Sequence, residues 1–308
     1  MSDDGETLRQ AIYKLSARLI ELDKERKSLI DEIESLSAKL KHVETESATP
    51  PIKNVLHPNK KITLFRSLFK GRQDVYPKLW TNKKGVSGYS PVCKNEWVKG
   101  ICRKPKIKCR ECDNRIYLPV TDEVIAKHLE GNITIGVYPM LEDETSHFLA
   151  LDFDKNNWRE DIKAFGDTCR NNNIPVSIER SRSGKGGHVW ILFSEPVQAV
   201  LARQMGSYLI TETMSNRHEL DMKSYDRLFP NQDTMPKGGF GNLIALPLQK
   251  KARLNGNTVF LDRDLNPHPD QWKYLSDLQK NVEDGCSNIC CQSITKKRYY
   301  RSQYSTNL

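Results

Sequence analysis

The stretch Phe148-Leu149-Ala150-Leu151-Asp152-Phe153-Asp154 decides the fold of this chain and points to its chemistry. Its apolar run predicts a strand that is buried in a sheet. Because successive side chains of a strand alternate between the two faces, Asp152 and Asp154 are expected to project from the same face. Two carboxylates side by side repel each other unless a cation lies between them. The end of this strand is therefore a predicted site for Mg²⁺ or Mn²⁺, which prefer oxygen ligands.

A glycine-rich segment follows the acid pair and reads Ser183-Gly184-Lys185-Gly186-Gly187-His188-Val189-Trp190. Its backbone can approach phosphate groups closely, and it also offers a hydroxyl, a lysine and a histidine. It is not a P-loop, because glycine follows Lys185 and the next segment is expected to be a strand rather than a helix. Asp-x-Asp alone is common, and Ser-Gly-x-Gly-Gly alone is more often a flexible turn. The acid pair followed by the glycine-rich segment, each attached to a strand, predicts nucleotide chemistry.

These motifs, with an acid before Leu228-Phe229-Pro230, resemble the archaeo-eukaryotic primase superfamily. Within it, the chain is most similar to the primase-polymerase domain of TOTE conflict systems, from about residue 62 to about 278. Four further stretches carry that closer resemblance: Leu68 to Arg72, Gly136 to Pro139, Tyr225 to Asp233 and Gly241 to Pro247.

The resemblance implies an α+β fold, with an RRM-like sheet and an N-terminal α/β unit. It implies a nucleotidyltransferase that copies a single-stranded or primed DNA template from NTPs or dNTPs by a two-metal mechanism. It also implies a mobile-element or defence setting, with helicase and nuclease partners.

The resemblance also implies roles for individual residues. A two-metal site needs a third carboxylate, and among Asp221, Asp226 and Asp233 the best match is Asp226, with Asp233 as the second choice. In this family the incoming triphosphate is bound by residues that correspond to Ser183, Gly184, Lys185, Gly186, Gly187 and His188. Two flanking arginines, Arg180 and Arg182, are expected to neutralise phosphates or template.

Four cysteines, Cys93, Cys102, Cys109 and Cys112, follow the spacing C-x8-C-x6-C-x2-C. In a reducing compartment this cluster predicts a tetrahedral, structural Zn²⁺ site rather than disulfides, although the eight-residue gap is unusual. The basic residues around it include three predicted nucleic-acid contacts, Arg103, Lys104 and Lys106. The alternative for this basic segment is a solvated loop.

The N-terminal region shows a sustained heptad pattern. One seam carries Leu8, Leu15, Leu22, Leu29, Leu36 and Val43, and the other carries Ile12, Leu19, Arg26, Ile33 and Leu40. The pattern predicts a coiled coil that is compatible with a parallel homodimer. The alternative is a helix that packs on the body of its own chain.

The predicted organisation is a flexible start (1–5), a coiled coil (6–44), a linker (45–61), the primase-polymerase domain (62–280) with the zinc knuckle (93–112), and a disordered tail (281–308). Within the domain, helices are predicted at 122–130, 156–171 and 196–214. Strands are predicted at 133–138, 147–153, 174–180, 187–193 and 242–248.

The composition favours a cytoplasmic protein that binds a polyanion. No apolar run is long enough for a membrane span, and the acidic start lacks a signal-peptide core. The formal net charge is +9, and residues 51–115 hold 17 Lys and Arg against 4 Asp and Glu. Two alternatives to a polymerase stay open, namely an inactive nucleic-acid-binding module and a metal-dependent nuclease.

Overall fold

The computed structural model of the chain describes residues 3–46, 56–155, 157–217, 223–235 and 237–280. The chain divides into two compact units, Met1–Val55 and Leu56–Leu308. The predicted tail (281–308), residues 47–55 of the predicted linker, and Asp221 lie outside the described residues. Within the described ranges, no helix is both long and apolar enough to cross a membrane.

The first unit contains one long helix, α1, which spans Asp3–Glu46. Its 44 residues cover the whole of the predicted heptad region. At a rise of about 1.5 Å per residue the helix is about 66 Å long. The helix agrees with the heptad pattern of the sequence, and the pairing of two such helices stays a prediction.

The second unit mixes helices and strands along the chain. Its first half consists of α2 (Pro58–Leu68), β1 (Pro77–Thr81), β2 (Ser87–Pro91), a 3-10 turn (Cys109–Glu111), α3 (Asp122–Leu129), β3 (Gly136–Val137), β4 (Thr145–Asp154) and α4 (Trp158–Asn171). Its second half consists of β5 (Ser177–Arg180), β6 (Gly186–Gln198), α5 (Ala199–Asn216), β7 (Tyr225–Phe229), β8 (Ile244–Ala245), α6 (Lys250–Arg253), β9 (Phe260–Leu261) and α7 (Gln271–Ser276).

Five of these strands form an antiparallel sheet in the order β7-β4-β6-β5-β9. The strand β4, which contains Asp152 and Asp154, lies inside the sheet between β7 and β6. Two further pairs, β1 with β2 and β3 with β8, form small two-stranded sheets. The architecture is the α+β class that the sequence predicts.

One face of the sheet is covered by the helices α4 and α5. The β4 side chains of Leu149, Leu151 and Phe153 are fully buried on this face. The helix α4 meets them with an apolar face that includes Phe165 and Cys169, and both are fully buried. Cys169 is therefore part of the core.

The other face of the sheet is covered by elements from the first half of the unit. Phe148 and Ala150 of β4 are buried here with Trp190 of β6 and Phe69, which follows α2. The Phe69 ring lies edge-on to the Trp190 ring, with centroids 5.0 Å apart. Alternation along β4 places Asp152 on this same face, at the end of the strand.

Several predicted boundaries differ from the structure. The strand predicted at 187–193 continues to Gln198, so the helix predicted from 196 begins at Ala199. The strands predicted at 133–138 and 242–248 form only two-residue ladders, β3 and β8. The helix α2 begins at Pro58 inside the predicted linker, because proline is well suited to the first helical position.

Candidate functional site

The acid pair lies where β4 runs between its two neighbours. Asp152 pairs across the sheet with His188 of β6, and Asp154 pairs with Gly186. Residues that pair directly across an antiparallel ladder project from the same face. The ladder therefore brings the two motifs that the sequence singled out onto one face of the sheet.

The third acid predicted from the resemblance, Asp226, lies on the opposite neighbour of β4. Asp152 pairs with Arg227 and Phe153 pairs with Tyr225, so Asp226 is an extra residue in the ladder. Such a bulge places two residues opposite one and re-aims their side chains. The bulge brings Asp226 beside the acid pair, where its carboxylate accepts a hydrogen bond of 2.5 Å from Arg227.

The second choice for the third acid, Asp233, is held elsewhere. Its carboxylate forms an ion pair with Arg203 of α5. Of the two candidates, Asp226 lies on the strand that pairs with β4 and is close enough to Asp152 to raise its pKa.

A buried carboxylate orients the histidine of the site. Glu179 of β5 is only 1% exposed, and its Oε2 accepts a hydrogen bond from His188 Nδ1 at 3.0 Å. The same oxygen accepts a hydrogen bond from Trp190 Nε1 at 2.8 Å. Because Nδ1 donates to Glu179, the other ring nitrogen, Nε2, is directed at Asp152, 3.6 Å from its Oδ1.

Charges around His188 favour its protonated form. Burial alone would lower the pKa of His188, but the nearby Glu179 and Asp152 carboxylates outweigh burial and raise it above its ordinary value. A protonated imidazole would present an Nε2–H donor to an anionic ligand on the acid face.

The environment of Asp152 fits a cation. Burial raises the pKa of Asp152, His188 opposes this rise, and the carboxylates of Asp154 and Asp226 add to it. The Oδ1 of Asp152 is buried and has no hydrogen-bond partner. An orphaned carboxylate oxygen beside two further acids has the donor chemistry of a Mg²⁺ or Mn²⁺ ligand.

The side chains as placed do not form a finished metal site. In the described part of the chain, no group of three or more His, Cys, Asp or Glu side chains could hold a metal ion. For the acids, one reason is visible, since the Asp226 carboxylate is engaged by Arg227. The metal roles of Asp152, Asp154 and Asp226 thus stay predictions.

The glycine-rich segment forms the tight connection between β5 and β6. Gly184 has a φ of +74°, a backbone conformation that favours glycine. Ser183 accepts a hydrogen bond from the Lys185 N–H at 3.2 Å, and both side chains are exposed. The strand–turn–strand geometry is the one that the sequence predicts, and its tip is open to a ligand.

The two flanking arginines differ in their positions. Arg182 is exposed beside the turn. Arg180 lies on the opposite face from Glu179 and donates hydrogen bonds to the backbone carbonyls of Gly256 and Leu265. The structure therefore does not bring Arg180 to the acid face, and its guanidinium instead fixes the connections around β9.

The four cysteines of the predicted knuckle line one small cavity, which is about 20 Å³ in volume. The Sγ of Cys93 accepts a hydrogen bond from the Ile116 N–H at 3.3 Å, and the 3-10 turn from Cys109 leads to Cys112. The four residues therefore line one cavity, but their side chains as placed do not form a metal-binding group, and zinc at this place stays a prediction.

The basic residues of the knuckle are not equivalent. Lys104 forms an ion pair with Glu96 at 2.7 Å. Arg103 and Lys106 are exposed, and so is the indole of Trp97. Arg103 and Lys106 are thus better placed than Lys104 to contact a phosphate backbone.

Sequence reasoning missed Glu179 and Arg227. Each depends on the strand register, because Glu179 faces His188 and Arg227 faces Asp152 only once β5, β6, β4 and β7 are aligned. The one available signal for Glu179 was its position as the charged residue of the predicted strand segment Val176-Ser177-Ile178-Glu179.

The chain shares a fold-level likeness with the polymerase domain of Mycobacterium tuberculosis Ligase D in complex with DNA, at 13% sequence identity and a TM-score of 0.36. That likeness covers 76% of this chain and 88% of the other, and it is too distant to carry an argument. A search of curated proteins found no match.

A family model described as the archaeo-eukaryotic primase domain of TOTE conflict systems matches residues 60–289. The match covers most of the chain and contains the acid pair, the glycine-rich turn, the knuckle and the bulged strand β7. This chain belongs to the archaeo-eukaryotic primase domain family of TOTE conflict systems.

Proposed function

We propose that this protein is a DNA primase-polymerase that extends a strand by template-directed nucleotidyl transfer. The observation that supports this proposal is the shared face of Asp152, Asp154 and His188 beside the glycine-rich turn. A nuclease needs the acids but no grip on a triphosphate. The combination therefore favours synthesis over cleavage.

Asp152 and Asp154 would hold Mg²⁺ or Mn²⁺, together with Asp226 once its carboxylate leaves Arg227. A metal held by these residues would supply positive charge that lowers the pKa of the attacking 3′-hydroxyl and stabilises the leaving oxygen. Arg227 would then be free of Asp226, and its guanidinium would be available to an anion at the same edge.

The triphosphate would lie against the turn that joins β5 to β6. The exposed Ser183 and Lys185 supply a hydroxyl and a positive charge, and the Gly184 and Gly186 backbone permits close approach. His188 donates Nε2–H to a phosphate oxygen while Glu179 holds its Nδ1–H. Glu179 is a positioning residue, because it acts through His188.

The nucleic acid would be a single-stranded or primed DNA template, with NTPs or dNTPs as substrates. The exposed Arg103, Lys106 and Arg182 offer contacts to its backbone. Zinc on the four knuckle cysteines would fix the segment that carries Arg103 and Lys106. Helicase and nuclease partners, and a role in mobile-element conflict or defence, follow from the family and are part of this proposal.

The test is incorporation of labelled NTPs and dNTPs on single-stranded and primed DNA, with Mg²⁺ or Mn²⁺. Asp152→Asn and Asp226→Asn are expected to lose activity by about 100-fold or more, since each removes charge from the reacting centre. Asp233→Asn is the matched control and should retain activity, because Asp233 lies outside β7 and its carboxylate pairs with Arg203 of α5.

The pattern of products separates the proposal from its alternatives. Template-dependent extension that is lost in Asp152→Asn supports a polymerase, and products without a primer make it a primase. Shortened DNA without extension would identify a nuclease. DNA binding with neither product nor nucleotide binding would identify an inactive binding module.

A further inference from the structure

The helix α1 carries an apolar stripe that is open to solvent. Its members with described side chains are between 45% and 71% exposed: Ile12, Leu15, Leu19, Leu22, Leu29 and Leu36. A long helix in water gains most of its stability by burying such a stripe. The regular spacing of the stripe from Ile12 to Leu36 therefore favours a partner helix of matching length.

We propose that α1 pairs with α1 of a second copy of this chain in a parallel, in-register, two-stranded coiled coil. The seam of Leu15, Leu22 and Leu29 occupies the d positions of the heptad, and Ile12 and Leu19 occupy a positions. Leucine at d combined with isoleucine at a, as at Ile12 and Ile33, favours two parallel strands. A second copy offers a stripe of identical length and spacing.

The charges beside the seam match this arrangement. Arg18 lies at a g position and Asp23 at the following e position. In a parallel dimer, each g residue faces the next e residue of the other helix, so Arg18 meets Asp23 of the second copy twice per dimer. Arg18 at present forms an exposed ion pair with Glu21 of its own helix, which is a weak and exchangeable contact.

Arg26 fixes the register. It occupies an a position within an otherwise apolar seam, and a charged residue at a single a position specifies alignment at some cost in stability. In register, the two Arg26 side chains lie at the same level, and each has Glu25 of the other copy at the adjoining g position. A shift by one heptad would bury Arg26 against Leu19 or its equivalent and remove this compensation.

An antiparallel pair is disfavoured by like charges. Antiparallel helices place g positions opposite g positions. When the middles of the two helices are aligned so that Arg26 packs beside Leu29, Glu25 of one copy faces Glu32 of the other. The same residues avoid each other in the parallel arrangement.

The first test is the mass of the full-length protein in solution, measured by light scattering at micromolar concentration. The expected mass is twice the 35.4 kDa of one chain. Leu22→Glu with Leu29→Glu should return it to the mass of a single chain. Tyr13→Glu is the matched control, because Tyr13 is 77% exposed at a b position and should leave the dimer intact.

The second test fixes the orientation by exchanging charges. Arg18→Asp alone and Asp23→Arg alone should each raise the dimer dissociation constant severalfold, because they oppose like charges. The double variant Arg18→Asp/Asp23→Arg should restore the dissociation constant, since it rebuilds the same contact in the reverse sense.

Each result bears on the proposal. A wild-type protein with the mass of one chain would overturn it and would favour packing of the helix within its own chain. A dimer that survives Leu22→Glu/Leu29→Glu would overturn it by placing the interface elsewhere. A double charge variant that is no better than the single variants would overturn the parallel register.

Discussion

At the scale of single residues, one oxygen of Glu179 organises the histidine of the site. It accepts hydrogen bonds from both His188 and Trp190, and the carboxylate is 1% exposed. A buried acceptor shared by two donors is costly to remove, because both donors lose their partner. Glu179 therefore contributes both to the stability of the fold and to the orientation of His188.

Glu179→Ala is expected to lower the free energy of unfolding by about 3 kcal/mol, because two buried N–H donors are left unsatisfied. Glu179→Gln keeps one acceptor oxygen and should cost about 1 kcal/mol, yet lower nucleotide incorporation by about 10-fold or more through a misplaced His188. Denaturant unfolding and primer extension measure the two effects.

Glu195→Gln is the control for Glu179, because Glu195 is exposed on β6. It should change neither the free energy of unfolding nor incorporation. Full incorporation by Glu179→Gln with intact stability would contradict a positioning role for Glu179.

The residues that sequence could and could not supply differ in kind. Asp152, Asp154 and His188 lie in local motifs. Alternation along a strand predicts the face from which their side chains project, even when the neighbouring strands are not known. Glu179 and Arg227 act only through the alignment of neighbouring strands, which is set by long-range pairing.

At the scale of elements, α3 is attached to the body by the buried His128. Its Nδ1 accepts a hydrogen bond from the Ile135 N–H at 3.2 Å, and its Nε2 donates to the Pro247 carbonyl at 2.9 Å. Burial lowers the pKa of His128 from 6.5 to about 4, although the bond to Pro247 opposes this. The neutral ring thus connects α3 to the segments that form β3 and β8.

The free energy of unfolding should decrease as the pH is lowered, because His128 is buried in its neutral form. The unfolded chain takes up a proton near pH 6.5 and the folded chain only near pH 4, so this contribution is complete above pH 6.5 and is lost as the pH falls between these values. From pH 7 to pH 5 the expected loss is about 2 kcal/mol.

His128→Gln should remove that part of the pH dependence, and His57→Gln, at an exposed position, should retain it. Urea unfolding at pH 7 and pH 5 gives the comparison. Equal pH dependence in His128→Gln and wild type would contradict the assignment.

The cysteine knuckle gives a second prediction for an element. Purified protein is expected to contain one zinc ion per chain by elemental analysis, because four thiolates satisfy tetrahedral Zn²⁺. Cys109→Ser with Cys112→Ser should lose the ion. Cys169→Ala should keep it, because Cys169 is buried in the core between α4 and the sheet. Wild type without zinc, or a metal content insensitive to Cys109 and Cys112, would refute the site.

Elements with a strong internal pattern could be predicted, and those held by their neighbours could not. The sequence alone shows the apolar runs of β4 and β6 and the apolar face of α4. The hairpin of β1 and β2 lacks an apolar run, since its strands are only partly buried. Its position depends on backbone contacts of β1 with the segment before β3, such as the hydrogen bond from the Leu79 N–H to the Thr134 carbonyl, which the sequence does not reveal.

At the scale of the whole molecule, positive charge is concentrated in one region. Residues 51–115 carry an excess of 13 positive charges, whereas the net charge of the chain is +9. A protein that neutralises DNA phosphates releases bound counterions, so its affinity falls as salt is raised.

Affinity for single-stranded DNA should therefore depend strongly on salt concentration. Arg103→Gln with Lys106→Gln should reduce the slope of log affinity against log salt by about 1.4, because each phosphate contact to a single strand contributes about 0.7. Fluorescence anisotropy across a salt series measures the slope. Lys14→Gln with Lys24→Gln, on the exposed surface of α1, is the matched control and should leave the slope unchanged. An unaltered slope in the Arg103/Lys106 variant would exclude the knuckle as a DNA contact.

The close pairing of Gly186 with Asp154 also limits how this protein can vary. A Cβ atom at 186 would overlap the Phe153 carbonyl and the Asp154 carboxylate, and a backbone carbonyl cannot swing away. A random library sorted only for folded protein should therefore still return glycine at 186, whereas the exposed Lys185 should be constrained only when the library is sorted for activity. Related proteins that had lost the activity should keep Gly186 but vary at Lys185. A comparison of these two neighbouring positions would therefore distinguish active from inactive members.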